Sequence, residues 1–367
     1  MKEVIDEIIS EIYTPPENTS LIVGVTKNGQ SSIFGYGEKQ GPNSGTPKGD
    51  TLFEIGSITK VFTTSLLSHF IAMGELNLET PICEIFSILS DLPPEITLLR
   101  LATHTSGLPN MPPNTSWKAL LKRRNPYVDY TIDNLIEYLS KYKKKPRPDE
   151  TINYSNMGIA LLGLIIAEKT GGTYEEALVD IICQELGMPD TRITLTSEQE
   201  ERIATPHSGG GKSSNRWDLT AFAGAGALYS TVDDILRFLH AHMGRPTSSL
   251  TEALQLTQVK RANKFPSPSS LMKFFPGASQ RRKKASYFTQ SIGLGWMIGT
   301  VGEVGPEAHW HHGATGGYIA FTGFVRKEDI GTVILVNRSL RITEMISEVS
   351  SVDEIGFRVL ESMYSND

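Results

Sequence analysis

Two cysteines, Cys83 and Cys183, among 367 residues leave no disulfide framework, and each reads most simply as a small buried apolar residue. No apolar run reaches the roughly eighteen residues that a membrane span requires. Neither sign of charge dominates: 35 Lys and Arg stand against 41 Asp and Glu, a formal net charge of -6. That balance gives no reason to expect nucleic acid as a partner. Internal repeats and low-complexity tracts are missing too, which excludes solenoid and fibrous architectures. What remains is 39% hydrophobic and 21% charged, the profile of an ordinary globular chain with one large or two medium cores. Residues 1–9 alternate charge with aliphatics as an amphipathic helix does. No signal peptide is expected there, and cytoplasm and exterior both stay open as compartments.

Residues 19–27 and 31–37 are apolar stretches joined by Asn28-Gly29, the pattern of a hairpin with a tight turn. Helical periodicity then dominates, over 61–73, 132–141, 157–170, 174–186 and 232–242, the last announced by Ser230 and Thr231. Strand signals return at 293–300, 318–325 and 332–337, before an amphipathic helix over about 342–363. The order predicts an α+β fold. Strands from both ends form one antiparallel sheet flanked by the terminal helices, an all-helical lobe is inserted, and the active site lies in the cleft between. The expected units are residues 1–60 with 288–367 for the sheet, 61–256 for the mainly helical part, and 257–287 as a basic loop. That loop holds Lys260, Arg261, Lys264, Lys273, Arg281, Arg282, Lys283 and Lys284 with no acidic residue. It reads as an exposed loop, or as a lid that meets an anionic ligand.

Chemistry concentrates in three segments. In Phe53-Glu54-Ile55-Gly56-Ser57-Ile58-Thr59-Lys60, a serine one helical turn before a lysine puts hydroxyl and amine within reach of one another. The same spacing suits a capping serine followed by a solvated lysine. In Tyr154-Ser155-Asn156, a phenol can relay or accept a proton and an amide two residues on can orient a substrate amide; both could instead cap a helix that starts near Met157. In Ala308-His309-Trp310-His311-His312-Gly313-Ala314, small residues after the histidines suit an edge strand that a substrate backbone approaches closely. Three histidines within that run also permit a metal reading, but no further ligand at recognisable spacing accompanies them, so neither a metal nor a cofactor is expected.

Taken together, Ser57-Ile58-Thr59-Lys60, Tyr154-Ser155-Asn156 and His311-His312-Gly313 resemble the three motifs of the serine β-lactamase and penicillin-binding-protein superfamily. The tyrosine in the second points to the class C β-lactamase branch, with its D,D-peptidases, D-aminopeptidases and β-lactamase-like esterases. Residues 101–109, 224–231 and 293–296 resemble recurring segments of that family. The resemblance implies a β-lactamase/transpeptidase-like fold. It makes Ser57 the acylated nucleophile, Lys60 its activating partner, and Tyr154 the general base for Ser57 and later for water. Asn156 would bind the substrate amide, His311 and Gly313 would line the substrate side, and the N–H groups of Ser57 and Ala314 would form the oxyanion hole.

The third motif departs from the class C pattern, Lys-Thr-Gly. Histidine carries no fixed charge to attract a β-lactam carboxylate, so the resemblance implies amide or ester hydrolysis ahead of efficient β-lactam hydrolysis. The expected partner is a small-molecule or short-peptide acyl substrate, with no nucleic acid and no transmembrane segment. Two alternatives accompany this reading: an acyltransferase of the same fold, and a non-catalytic penicillin-binding or sensor protein.

Overall fold

Asn28 and Gly29 both take positive φ, 54° and 77°, as a tight hairpin turn matched to strand twist requires. They join β1 (Ser20–Lys27) to β2 (Gln30–Gly37) in the expected hairpin. The computed structural model describes residues 1–13, 18–41, 44–111, 125, 127, 129–146, 151–265, 290–302, 304–340 and 351–365. A two-stranded ribbon of β3 (Phe53–Glu54) and β4 (Tyr229–Ser230) stands apart from the main sheet. The remaining strands are β5 (Ser291–Ile292), β6 (Met297–Thr300), β7 (Glu307–Ala314), β8 (Ile319–Val325) and β9 (Ile330–Val336). They join the hairpin in a seven-stranded antiparallel sheet of order β2-β1-β9-β8-β7-β6-β5. The first and last strand groups of the chain thus meet at β1 and β9.

Both faces of that sheet are covered, so its central strands are apolar nearly without interruption. Helices α1 (Lys2–Ile12) and α8 (Ser351–Ser365) cover one face, where Ile5, Ile8, Val352, Ile355 and Leu360 pack on Leu21, Val23, Phe321 and Ile334. On the other face, Ile22, Phe324, Val333 and Leu335 meet α2 (Thr59–Ala72) and α7 (Val232–His242) through Phe62, Leu66, Phe238 and Leu239. The helical lobe has a separate core. Leu67 of α2 packs there with residues of α3 (Leu98–Ala102), α4 (Ile132–Ser140) and α5 (Asn156–Thr170), among them Leu101, Leu135, Leu161 and Ile165. Because α2 lies between sheet and lobe, eleven of its fourteen residues are buried, and it shows no polar stripe.

Three expectations change. The stretch 293–300 opens on a turn, 293–296, that joins β5 to β6: Gly293 donates its N–H to the Trp296 carbonyl, and Gly295 has φ 79°. The apolar Leu294 and Trp296 are buried in that turn, which is why their run imitates a strand. The histidine segment forms β7, an interior strand rather than an edge. Its first half, Glu307 to Trp310, pairs with β6 as well as β8, while His311 to Ala314 pair only with β8 among the described residues. Third, the helix expected over 174–186 passes from α6 (Tyr174–Leu178) through a π-helical turn, Val179–Cys183, into Gln184–Leu186. Positions 342–350 of the expected last helix and 266–287 of the basic loop lie outside the described residues. Among the described residues, no helix is long and apolar enough to cross a membrane.

Candidate active site

Ser57 lies in a 3₁₀ turn, Gly56–Ile58, that leads directly into α2. Gly56 has φ 51°, and a Cβ there would stand 2.8 Å from the Ala314 nitrogen. Gly313 is as constrained, since a Cβ would collide with the Ile55 carbonyl oxygen. Only glycines let the two backbones touch, and that contact sets the Ser57 turn against the half of β7 that pairs only with β8 among the described residues. The serine is no helix cap: the cap position of α2 is Ile58, with no side-chain capping bond.

Lys60 is not solvated. Its side chain is fully buried, with Nζ 2.9 Å from Ser57 Oγ and 2.5 Å from the Ala225 carbonyl oxygen. Burial alone pulls the amine well below the usual lysine range, which favours the uncharged form. Tyr154 is half-buried and shares a hydrogen bond with the Ser57 hydroxyl. Burial drives its phenol above the ordinary range, and the bond to Ser57 offsets only part of that rise. Lys60 Nζ sits 5.1 Å from the Tyr154 ring centroid.

Ser155, not Tyr154 or Asn156, caps α5, accepting the Gly158 N–H at 2.9 Å and donating to the Pro109 carbonyl at 2.8 Å. His104 steadies the same segment from beneath. Its carbonyl accepts the Asn153 N–H at 2.7 Å, its Nδ1 accepts the Ser155 N–H at 3.2 Å, and its ring lies 4.5 Å from that of Tyr154. Burial is the largest cause that pulls His104 down to about 3, so it is neutral. Asn156 donates Nδ2 to the Tyr127 hydroxyl at 2.9 Å, while its Oδ1 is buried without a partner. Ser57, Asn156, Ala314 and Thr315 share a small cavity of about 40 Å³ walled by Tyr127, Trp217, Leu219 and Phe222.

His311 is fully buried. Its Nδ1 lies 2.6 Å from the His312 carbonyl oxygen, which assigns the proton to Nδ1 and leaves Nε2 a bare acceptor with no partner. Burial holds this imidazole well below its ordinary pKa. His312 faces the other side of β7, where Asp353 of α8 lies 3.3 Å from its Nδ1. Burial opposes charge on His312, but Asp353 outweighs it and raises its pKa. His309 stacks on Phe324 and its Nε2 lies 3.2 Å from the Gln258 carbonyl oxygen. Among the described residues, no group of three His, Cys, Asp or Glu could hold a metal ion.

The fold therefore brings Ser57, Lys60, Tyr154, Asn156, His311, Gly313 and Ala314 into one neighbourhood. Sequence reasoning gave no role to Glu54, His104, Tyr127 or Trp217. No local pattern gives them a role, because the partners that define each role lie far away in sequence.

A beta-lactamase family model matches residues 7–355. This chain belongs to the beta-lactamase family. The likeness of the family member described here extends to D-alanyl-D-alanine-carboxypeptidase/endopeptidase AmpH of Escherichia coli (strain K12), 26% identical over 92% of this chain and 84% of that protein. A beta-lactamase of Pseudomonas fluorescens is 24% identical over 96% of this chain and 98% of its own length. Among solved structures, the class C beta-lactamase of Rhodobacter sphaeroides superposes with a TM-score of 0.71 at 25% identity, covering 98% of this chain and 99% of that one. A beta-lactamase/D-alanine carboxypeptidase of Pseudomonas syringae shares the fold, with a TM-score of 0.75 at 21% identity over 98% of each chain. The beta-lactamase family member described here is a class C-like serine hydrolase.

Proposed function

We propose that the chain hydrolyses uncharged ester or amide acyl donors through an acyl-enzyme on Ser57. The observation that carries this reading is Lys60, buried without an acidic partner among the described residues and 2.9 Å from Ser57 Oγ. An uncharged amine in that position is a base.

In acylation, Ser57 Oγ attacks the acyl carbon as its proton passes to Lys60 Nζ. The Ser57 and Ala314 N–H groups receive the oxyanion; removing one such donor typically costs about 3 to 4 kcal/mol. Tyr154, held protonated by burial, gives its proton to the departing oxygen or nitrogen. The phenolate and ammonium that remain stabilise one another. Water then attacks the acyl carbon and loses its proton to Tyr154, while Lys60 returns a proton to Ser57 Oγ. The balance is one water consumed, one acid and one alcohol or amine released. The resemblance made Tyr154 the base in both halves; an uncharged Lys60 beside a protonated Tyr154 favours Tyr154 as acid first and base second. Asn156 Oδ1, unpartnered at the cavity, suits a substrate N–H.

Substrate preference follows from His311. A neutral imidazole with a bare Nε2 offers a carboxylate no cation and instead presents a lone pair. Neutral donors are therefore preferred to the β-lactams and D-alanyl peptides suggested by the relatives' names. The test is mass spectrometry after a fluorophosphonate, paired with turnover of short-chain esters, D-amino-acid amides, D-Ala-D-Ala peptides and nitrocefin. Expected are a mass increase on Ser57, none in Ser57→Ala, and ester turnover well ahead of nitrocefin. No adduct with either the fluorophosphonate or a labelled penicillin refutes the hydrolase.

A further inference from the structure

Glu54 ends β3, three residues before Ser57, and only 4% of it is exposed. Three segments converge on its carboxyl. Trp217 donates its backbone N–H to Oε1 at 2.8 Å, and Tyr229 its phenol at 3.3 Å. The Thr315 hydroxyl reaches the carboxyl and favours its ionised form, yet Oε2 has no partner of good hydrogen-bond geometry. No cation forms an ion pair with Glu54 among the described residues. Arg216 acts from a distance, its guanidinium 5.6 Å from the Tyr229 ring centroid and paired with Glu200 at 3.0 Å.

Each partner has a place in the site. Thr315 follows the oxyanion residue Ala314, Trp217 walls the cavity, and Tyr229 belongs to β4, paired with β3. Glu54 therefore ties the Ser57 turn to the far side of the oxyanion gap and to the cavity wall at once. Resting on the hydrolase reading above, we propose that Glu54 is a positioning residue: its carboxylate fixes the gap between the Ser57 and Ala314 N–H donors and seats Trp217 against the acyl group.

Protonation changes that hold, because a neutral carboxyl is a weaker acceptor for Trp217 and Tyr229. Burial pushes Glu54 up to about 7, against the opposing pull of Thr315, Trp217, Tyr229 and Arg216. The other groups facing it are Tyr229, Tyr318 and Arg216, with Glu200 behind Arg216. Burial raises both phenols, and the ion pair with Glu200 raises Arg216. Through neutral pH the two phenols stay uncharged and Arg216 stays a cation.

The experiment compares wild type, Glu54→Gln, Glu54→Asp and Trp217→Phe. Glu54→Gln keeps an acceptor for the Trp217 N–H but cannot ionise; Glu54→Asp keeps an ionising group set back by one methylene. Labelling of Ser57 in wild type reports separately on the hydrolase reading. Expected in wild type are kcat for a neutral ester rising with pH through about 7 and a Trp217 fluorescence transition over the same range, absent in Trp217→Phe. Glu54→Gln loses both transitions, and its kcat at pH 8 falls about tenfold, less than for loss of a whole oxyanion donor, with KM little changed. Glu54→Asp keeps a transition with lowered kcat. Both transitions persisting in Glu54→Gln overturn the proposal, as does a loss of stability with an unchanged pH profile. An unlabelled Ser57 with the Trp217 transition still dependent on Glu54 removes the hydrolase reading and leaves the hold on Trp217 standing.

Discussion

In the proposed function, histidine at position 311 sets the preference among acyl donors. A lysine there would add a cation beside Lys60, in a place where His311 is buried and uncharged. His311→Lys is therefore expected to raise kcat/KM for carboxylate-bearing donors such as nitrocefin relative to neutral esters. A well-oriented charge-assisted contact adds about 1.5 to 3 kcal/mol, so the ratio should rise by about tenfold or more. Steady-state kinetics on the two substrate classes measures it, and an unchanged ratio means that residue 311 does not face the substrate.

Among the elements, α5 carries the second motif, and its N-terminus is held by one side chain. Ser155→Ala removes both the capping bond to Gly158 and the bond to the Pro109 carbonyl. Losing such a cap costs about 0.5 to 2 kcal/mol. Because Ser155 stands between Tyr154 and Asn156, kcat should fall together with the urea midpoint. A variant as stable and as active as wild type would show that the turn before α5 is held by His104 alone.

What the sequence made legible was local. The Asn28-Gly29 hairpin, the Thr231 cap of α7 and the three site motifs each lie within a few residues, where turn chemistry and periodicity are written. Strand β7 was hard to delimit because Glu307-Ala308-His309-Trp310-His311-His312-Gly313-Ala314 is polar for a buried strand, its histidines shared between the two faces. The turn at 293–296 looked like a strand because its apolar residues are buried against helices rather than in a ladder. Glu54, His104 and Trp217 could not be assigned roles, since what they do depends on contacts fixed only by the completed fold.

At the scale of the whole molecule, the lobe and the sheet face that meets α2 and α7 bury histidines in the uncharged form. His104 is pulled down to about 3, and His242, His309 and His311 are also lowered, burial being the largest cause in each. For a base whose folded pKa is depressed, the unfolded chain takes up the proton first, so stability falls as pH drops below about 6.5. Two buried carboxyls work the other way. Glu54 is raised to about 7 and Asp234 to about 6, and each binds its proton in the folded state before the unfolded one does. His312, raised by Asp353, is protonated in both states at the acid end and contributes its stability below about 6.5, losing it only as pH rises. The imidazoles lowered by burial, His69 and His240 among them, outnumber the two raised carboxyls, so the unfolded chain takes up more protons as pH falls from 6 to 5 and stability falls with it. Calorimetry should therefore find Tm falling steeply from pH 6 to 5, before exposed carboxylates titrate. His242→Gln, outside the catalytic neighbourhood, should flatten the slope by about one proton's worth, about 1.4 kcal/mol per pH unit. A Tm that is level from pH 6.5 to 5 would mean that the buried imidazoles take up protons without opening the fold.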